Sequence, residues 1–101
     1  MSAASLNASG DGRWELAGAL DFASVPQIWP ALEKLLRAGG KLTLSLAGVG
    51  HANSAGLVLL VEARDLASRG DCRLRLVDVP VELLALARMS GCAELIAENS
   101  V

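Results

Sequence analysis

Alternation of apolar and polar residues predicts strands near the start, in the middle and in the last third of the chain. Lys41 to Leu46 reads K-L-T-L-S-L, which places every second residue, a leucine, on one face of a strand. Arg73 to Val77 alternates in the same way. Two shorter half-apolar runs, Ser5 to Ala8 and Arg13 to Ala17, flank a turn-forming S-G-D-G segment and predict an opening hairpin.

Apolar residues spaced at about 3.6 residues predict three helices between and after these strands. The first follows Ser24 as its N-cap and ends at Gly39, and Pro30 inside it predicts a late start or a bend near the first turn. Its apolar positions are Val25, Ile28, Trp29, Leu32, Leu35 and Leu36. The second helix is predicted from Ala55 to Ser68, after a polar turn H-A-N-S, and the third from Pro80, in its first turn, to Met89.

The order hairpin, helix, strand, helix, strand, helix predicts an α/β fold whose later strands pair in parallel through crossover helices. With 101 residues, the chain is expected to form a single domain over residues 1–101. Because 52% of the residues are hydrophobic and only 3% are aromatic, the core should be aliphatic.

Charge and cysteine content exclude several classes of function. The formal net charge is -2 and the nine basic residues are scattered along the sequence, so nucleic acid is not an expected partner. No apolar stretch reaches the roughly 18–20 residues of a membrane span, and no signal peptide opens the chain, so we expect a soluble, cytoplasmic protein. Cys72 and Cys92 show no metal-site spacing and are expected to be reduced, partly buried thiols.

No catalytic or cofactor-binding constellation can be assembled from the sequence. Ser54 lacks the G-x-S-x-G elbow of hydrolases, and His51 is the only histidine that could serve as a base. The segment G-V-G at residues 48–50 has neither the P-loop lysine nor the G-x-G-x-x-G spacing of nucleotide sites. Asp21 is more typical of a turn or helix cap than of a ligand. We therefore expect no enzyme activity, no metal and no cofactor.

Ser54 has two interpretations, which the sequence leaves open. It stands where the strongest strand gives way to a helix, so its hydroxyl is expected to cap the helix N-terminus. The same position lies at the carboxyl edge of a parallel sheet, where ligands usually bind, so the hydroxyl could instead be a contact or modification point.

The helix that follows carries more apolar residues than one buried face needs. At about 100° per residue, the core side is accounted for by Leu59, Leu60, Ala63, Leu66 and Ala67. Leu57, Val58 and Val61 fall instead on the arc that contains Ser54, where they predict an exposed docking patch. The alternative is that a neighbouring helix, such as the one from Pro80 to Met89, covers them.

The residues around Ser54 resemble a known family. The pattern Leu44-x-Leu46-x-x-Val49-x-x-Asn53-Ser54-Ala55-Gly56-Leu57 is similar to the signature of STAS domains. Trp14-x-Leu16-x-Gly18-x-Leu20-Asp21, followed by Trp29, resembles the MlaB branch, whose members are subunits of phospholipid ABC transporters. The resemblance implies a STAS-like mixed sheet with helices packed on it.

The resemblance also implies a non-enzymatic module that binds another protein. In the MlaB branch the partner is the transporter's cytosolic ATPase subunit, so the protein would be cytoplasmic and peripheral to the inner membrane through that partner. The expected partner-binding residues are His51, Asn53, Ser54, Leu57, Val58 and Val61.

The alternative implied by the same family is an anti-sigma-factor antagonist. In such members a hydroxyl residue at the position of Ser54 is phosphorylated by an anti-sigma-factor kinase, which breaks the complex. Those proteins usually carry an aspartate just before the hydroxyl, where this chain has Asn53. This difference favours docking at Ser54 over phosphorylation.

Overall fold

The computed structural model describes residues 3–96, so the first two and last five residues of the predicted domain lie outside it. Its order of elements confirms the predicted α/β pattern and adds one helix. The strands are β1 (Ser5–Gly10), β2 (Arg13–Leu20), β3 (Gly40–Ala52) and β4 (Cys72–Val77). The helices are α1 (Val25–Ala38), α2 (Ser54–Arg69), α3 (Val81–Met89) and α4 (Ala93–Ile96).

The four strands form one mixed sheet in the order β1-β2-β3-β4. β1 and β2 form the predicted antiparallel hairpin, and both β2–β3 and β3–β4 are parallel. Each parallel pair is joined through a helix, because α1 connects β2 to β3 and α2 connects β3 to β4. The predicted parallel pairing through crossover helices is confirmed.

Leucines from the sheet and the helices form the aliphatic core between them. The fully buried large side chains are Leu16, Leu20, Leu32, Leu36, Leu44, Leu46, Leu59, Leu60, Leu76, Leu83 and Ile96. α1 and α2 pack against each other, and α2 also contacts α3 and α4. Since every second residue of β4, and of β3 as far as Leu46, faces this core, the intervening residues lie on the opposite face of the sheet.

β3 is much longer than the sequence predicted, because it continues past Leu46 to Ala52. The register with β2 shifts twice, and each shift adds one residue on β3. The first lies between the pairs Glu15–Ser45 and Ala17–Gly48, and the second between Gly18–Val49 and Ala19–His51. These irregularities are β-bulges. The predicted turn at H-A-N-S is therefore wrong for His51 and Ala52, which belong to the strand.

The helices contradict the late start predicted from Pro30 and the position predicted for Pro80. α1 begins at Val25 despite Pro30, so its start is not delayed. A second proline, Pro26, stands in its first turn, where the missing N–H costs nothing. Pro80 is the N-cap of α3 and not a residue of its first turn.

Arg64 connects three elements, including the helix α4 that the sequence analysis missed. Its Nη1 donates to the carbonyl oxygen of Leu74 in β4 at 2.7 Å, and its Nε donates to the carbonyl oxygen of Leu95 in α4 at 3.0 Å. Burial lowers the pKa of the Arg64 guanidinium from its ordinary value. The side chain thus attaches α4 to the sheet through α2.

We predict that Arg64→Met lowers the free energy of unfolding by about 1–3 kcal/mol, because it removes two charge-assisted hydrogen bonds while keeping much of the apolar stem. Urea unfolding followed by tryptophan fluorescence measures this change. The control is Arg69→Met, which removes an exposed helix pair with Asp65 and should cost less than about 0.5 kcal/mol. Equal losses in the two variants would contradict the role given to Arg64.

Candidate partner-binding surface

The end of β3 is fixed by hydrogen bonds to two other elements. The backbone N–H of Ala52 donates to Glu82 Oε1 at 3.0 Å, and the N–H of Asn53 donates to the carbonyl oxygen of Leu20 at 3.1 Å. Glu82 lies in the first turn of α3, where the helix dipole favours a carboxylate. These two contacts hold the last residues of β3 between β2 and α3.

Asn53, and not Ser54, caps α2. The Asn53 Oδ1 atom accepts a hydrogen bond from the N–H of Ala55 at 2.9 Å, while the Asn53 backbone has an extended conformation. Ser54 is the first residue of the helix and is exposed. The predicted N-cap role of Ser54 is therefore wrong, because the chain enters helical conformation one residue earlier than expected. Its hydroxyl is left at the surface.

Gly56 allows the start of α2 to lie close to the sheet. A Cβ atom at this position would lie 3.0 Å from Leu20 Cβ and 3.3 Å from Ala52 Cβ, and 3.4 Å from Leu83 Cδ2 in α3. These are tight distances for carbon atoms, so a larger residue would push the helix away from β2, β3 or α3. The position of Ser54, two residues earlier, depends on this close approach.

The three apolar residues predicted to form a docking patch have different surroundings. Val58 is 56% exposed, whereas Val61 is half-buried and Leu57 is only 7% exposed. The predicted exposure of Leu57 is wrong, and the alternative of cover by neighbouring helices holds for it. Leu57 lies two helical turns before Arg64, which contacts α4, so both occupy the side of α2 on which the C-terminal helices pack.

Val58 borders a shallow apolar groove between α1 and α2. Its lining residues are Val25, Trp29, Val58, Leu59 and Glu62, and its volume is about 160 Å³. Val61 lines a separate cleft between α2 and α4, which also includes Leu95. The predicted patch is therefore divided, with Val58 facing α1 and Val61 facing α4.

Phe22 adds an exposed apolar side chain in the loop after β2 and was missed in the sequence. It is 70% exposed and lies in the loop that leaves Leu20, whose carbonyl is bonded to Asn53. The sequence did contain a signal for this exposed residue, since a lone phenylalanine directly follows Asp21 at the end of the strand. Trp29 was assigned only to the core face of α1, although it also reaches the groove. We call Phe22, Trp29, Ser54 and Val58 the Ser54 surface.

Asp21 stabilises the loop that carries Phe22. Its Oδ1 atom accepts from the N–H groups of Ala23 at 3.0 Å and Ser24 at 2.9 Å. The hydrogen bond from the Ser24 N–H is the main reason that the pKa of Asp21 is lowered. Ser24 is the N-cap of α1, as predicted, but its hydroxyl donates to the carbonyl oxygen of Ala19 at 2.6 Å instead of capping the helix. Asp21 is thus a turn-forming residue.

His51 lies at the edge of this region, exposed on β3. Its Nδ1 atom is 3.9 Å from Glu82 Oε1, at the long limit of an ion pair. Among residues 3–96, no group of three or more acidic, histidine or cysteine side chains could hold a metal ion. In the same range, no helix is long and apolar enough to cross a membrane.

The two candidate caps predict different effects of alanine substitution. Asn53→Ala should lower the free energy of unfolding by about 1 kcal/mol, because the N–H of Ala55 loses its acceptor. Ser54→Ala should change it by less than about 0.5 kcal/mol, since the exposed hydroxyl does not cap the helix. Urea unfolding of both variants measures the difference. A larger loss for Ser54→Ala would contradict the assignment of the cap.

Comparison with known proteins identifies the family. One solved structure, titled "Structure of the Anti-Sigma Factor Antagonist SpoIIAA in its Unphosphorylated Form", superposes with a TM-score of 0.69 at 15% sequence identity. The match covers 96% of this chain and 88% of that one, which shows a shared fold. No curated protein sequence matches the chain. The model of the family described as "Mlab, STAS domain" matches residues 5–97. Because this match spans nearly the whole chain, the protein belongs to the STAS domain family.

Proposed function

We propose that this STAS domain is a non-enzymatic subunit that binds the cytosolic ATPase of an ABC-type phospholipid transport system, which maintains the lipid asymmetry of the outer membrane. The observation that carries this proposal is the Ser54 surface, where an exposed hydroxyl at a helix start stands beside exposed apolar side chains. The family description, which names Mlab, supports the transporter as the partner's class. The domain would be cytoplasmic and associate with the inner membrane only through this partner.

The chemistry of the Ser54 surface suits protein binding better than catalysis. Exposed Val58 and Phe22 have apolar area to bury, and the groove beside Val58 can accept an apolar side chain from a partner. Glu62 at the groove and the Ser54 hydroxyl supply polar contacts at the border. Asn53 and His51 lie next to this area, and Val61 lines the separate cleft between α2 and α4. Leu57 supports the surface from within the core.

A charge placed on this surface should prevent binding without unfolding the domain. We predict that Ser54→Glu and Val58→Asp each weaken binding to the purified ATPase by about thirtyfold or more, as expected for residues at an interface centre. Both side chains are exposed, so the fold should be retained. Isothermal titration calorimetry measures the affinity, and far-UV circular dichroism checks the fold.

The matched control is Met89→Asp, which also places a carboxylate at an exposed apolar residue, but at the far end of α3. Its affinity for the ATPase should stay within about twofold of the unchanged protein, since it lies outside the Ser54 surface. If Ser54→Glu and Val58→Asp bind as well as Met89→Asp, the proposed surface is wrong. If the domain does not bind the ATPase at all, the proposed function is wrong.

A second candidate function is an anti-sigma-factor antagonist that is switched by phosphorylation at Ser54. The similarity of fold to SpoIIAA and the exposed hydroxyl at the start of α2 favour it. A phosphate would add about -1.5 to -2 charges at a helix N-terminus, where the dipole tolerates them. The same charges would oppose a partner that buries Val58.

This second function predicts a phosphoserine at Ser54 in protein purified from its own cells, together with a kinase-type anti-sigma factor bound to the unmodified form. Mass spectrometry of the intact protein and of its stoichiometric partners measures both. An ABC-type ATPase with its permease, and unmodified Ser54 under growth and stress conditions alike, would contradict the antagonist function.

A further inference from the structure

The face of the sheet opposite the helices gathers basic residues that are distant in the sequence. Lys41 and Arg73 are register partners on β3 and β4. Arg75 is the partner of Thr43, and Thr43 is in turn the partner of Arg13 on β2. Arg13, Lys41, Arg73 and Arg75 are all exposed, and we call them the basic sheet face. It holds four of the nine lysine and arginine residues of an acidic protein.

These four cations lie close together, and no carboxylate within residues 3–96 forms an ion pair with them. Neighbouring strands are about 4.8 Å apart, and Arg73 and Arg75 are separated by about 6.6 Å along β4, so each of the four residues has another within about 10 Å, a Debye length at 0.1 M salt. The ion pairs of residues 3–96 involve Arg37 with Glu33, Arg69 with Asp65 and His51 with Glu82. None of them includes the basic sheet face. Like charges directly across strands destabilise a sheet, so this cluster costs stability where it stands.

Acidic residues lie at both ends of the cluster along the strand direction. Asp11 lies in the turn next to Arg13, and Asp71 precedes β4, with its carbonyl oxygen bonded to the N–H of Gly40. In the next row of the sheet, Glu15 is the register partner of Ser45, whose hydroxyl donates to Asp78 Oδ2 at 3.2 Å. The positive area is therefore short along the strand direction, with negative charge at both of its ends.

This arrangement fits a short acidic ligand better than an extended polyanion. A membrane surface or a nucleic acid presents many negative charges at once, which would meet the bordering carboxylates as well as the cations. A few carboxylates on an extended peptide can lie along the basic rows alone. Arginine is suited to carboxylates, because its planar guanidinium binds a carboxylate through two parallel hydrogen bonds.

A depression on this face has the space for such a peptide. Its volume is about 330 Å³, and its lining residues are Lys41, Thr43, Arg73, Leu74 and Arg75.

We propose that the basic sheet face is a second docking surface, which binds a short acidic segment of a partner protein. It lies on the opposite side of the sheet from α2, so it can be occupied while the Ser54 surface is engaged. Binding would relieve the repulsion among the four cations. This proposal does not depend on which partner occupies the Ser54 surface.

The test uses a fluorescently labelled peptide of about eight residues, with alternating glutamate and glycine, which spans roughly 26 Å when extended. The longest dimension of the domain is 30 Å. Fluorescence anisotropy measures binding to the full chain at low ionic strength. Arg73→Gln/Arg75→Gln should weaken binding by about tenfold, because both arginines contribute charge-assisted contacts. Affinity should also fall as salt is added.

The matched control is Arg37→Gln/Arg69→Gln. It changes the net charge equally, but at two exposed arginines on α1 and α2. Its affinity for the peptide should remain within about twofold of the unchanged protein. Equal weakening in the two double variants would show a response to net charge alone and would overturn the proposal. Absence of peptide binding would also overturn it.

Two further probes decide between classes of ligand. Vesicles containing phosphatidylglycerol and a single-stranded oligonucleotide are titrated under the same conditions. If either one binds more tightly than the peptide, and Arg73→Gln/Arg75→Gln abolishes that binding, the face recognises a lipid surface or a nucleic acid and the proposal is wrong. Weaker binding of both probes than of the peptide supports it.

Discussion

The position of the Ser54 surface depends on how β3 ends. The N–H of Ala52 is held by Glu82 of α3, and the N–H of Asn53 is held by the carbonyl of Leu20 in β2. Asn53 then caps α2, and Gly56 lets that helix approach both strands. Because each contact restricts the next residue along the chain, β2, β3, α2 and α3 are joined at one point. The surface around Ser54 is consequently built on secondary-structure elements that are held together, which would limit the entropy lost on binding the proposed partner.

Sequence periodicity predicted the elements well where the alternation was regular and poorly where bulges interrupted it. Leu42, Leu44 and Leu46 are buried at intervals of two, but the next buried apolar residues of β3 are Val49 and Ala52, at intervals of three. Each extra residue reverses the alternation of faces, so a pattern of period two appears to end at Leu46. The strand in fact continues to the residue before Asn53. The late end of β3 also explains why Ser54 was predicted to be the cap. Only one residue, Asn53, separates the end of the strand from the start of the helix, so the sequence did not reveal that Asn53 occupies the cap position.

The candidate site was predicted only in part. The sequence shows which residues share a face of α2, but it does not show how many other elements pack against that helix. A wheel with one core face left Leu57 outside, whereas α2 is covered by the sheet, by α1 and by the C-terminal helices. The four-residue helix α4 is too short for a periodic signal. The basic sheet face was missed for a related reason. Its residues are scattered in the sequence, and only the register of three strands brings Arg13 into line with Arg75.

Because Asn53 caps α2, the stability of the helix start does not depend on the charge at Ser54. The N–H of Ala55 is satisfied by the Asn53 side chain, and those of Gly56 and Leu57 donate to the Asn53 carbonyl oxygen at 3.0 and 3.4 Å. A phosphate on Ser54 would therefore replace no hydrogen bond of the first turn, and the helix dipole would tolerate its charge. Its effect would fall on a partner that buries Val58. Asn53 performs this capping without adding a negative charge of its own, which an aspartate would place next to the phosphate. The same geometry thus fits either of the two proposed functions, a constitutive contact or a charge-dependent one, and the partner's chemistry would decide between them.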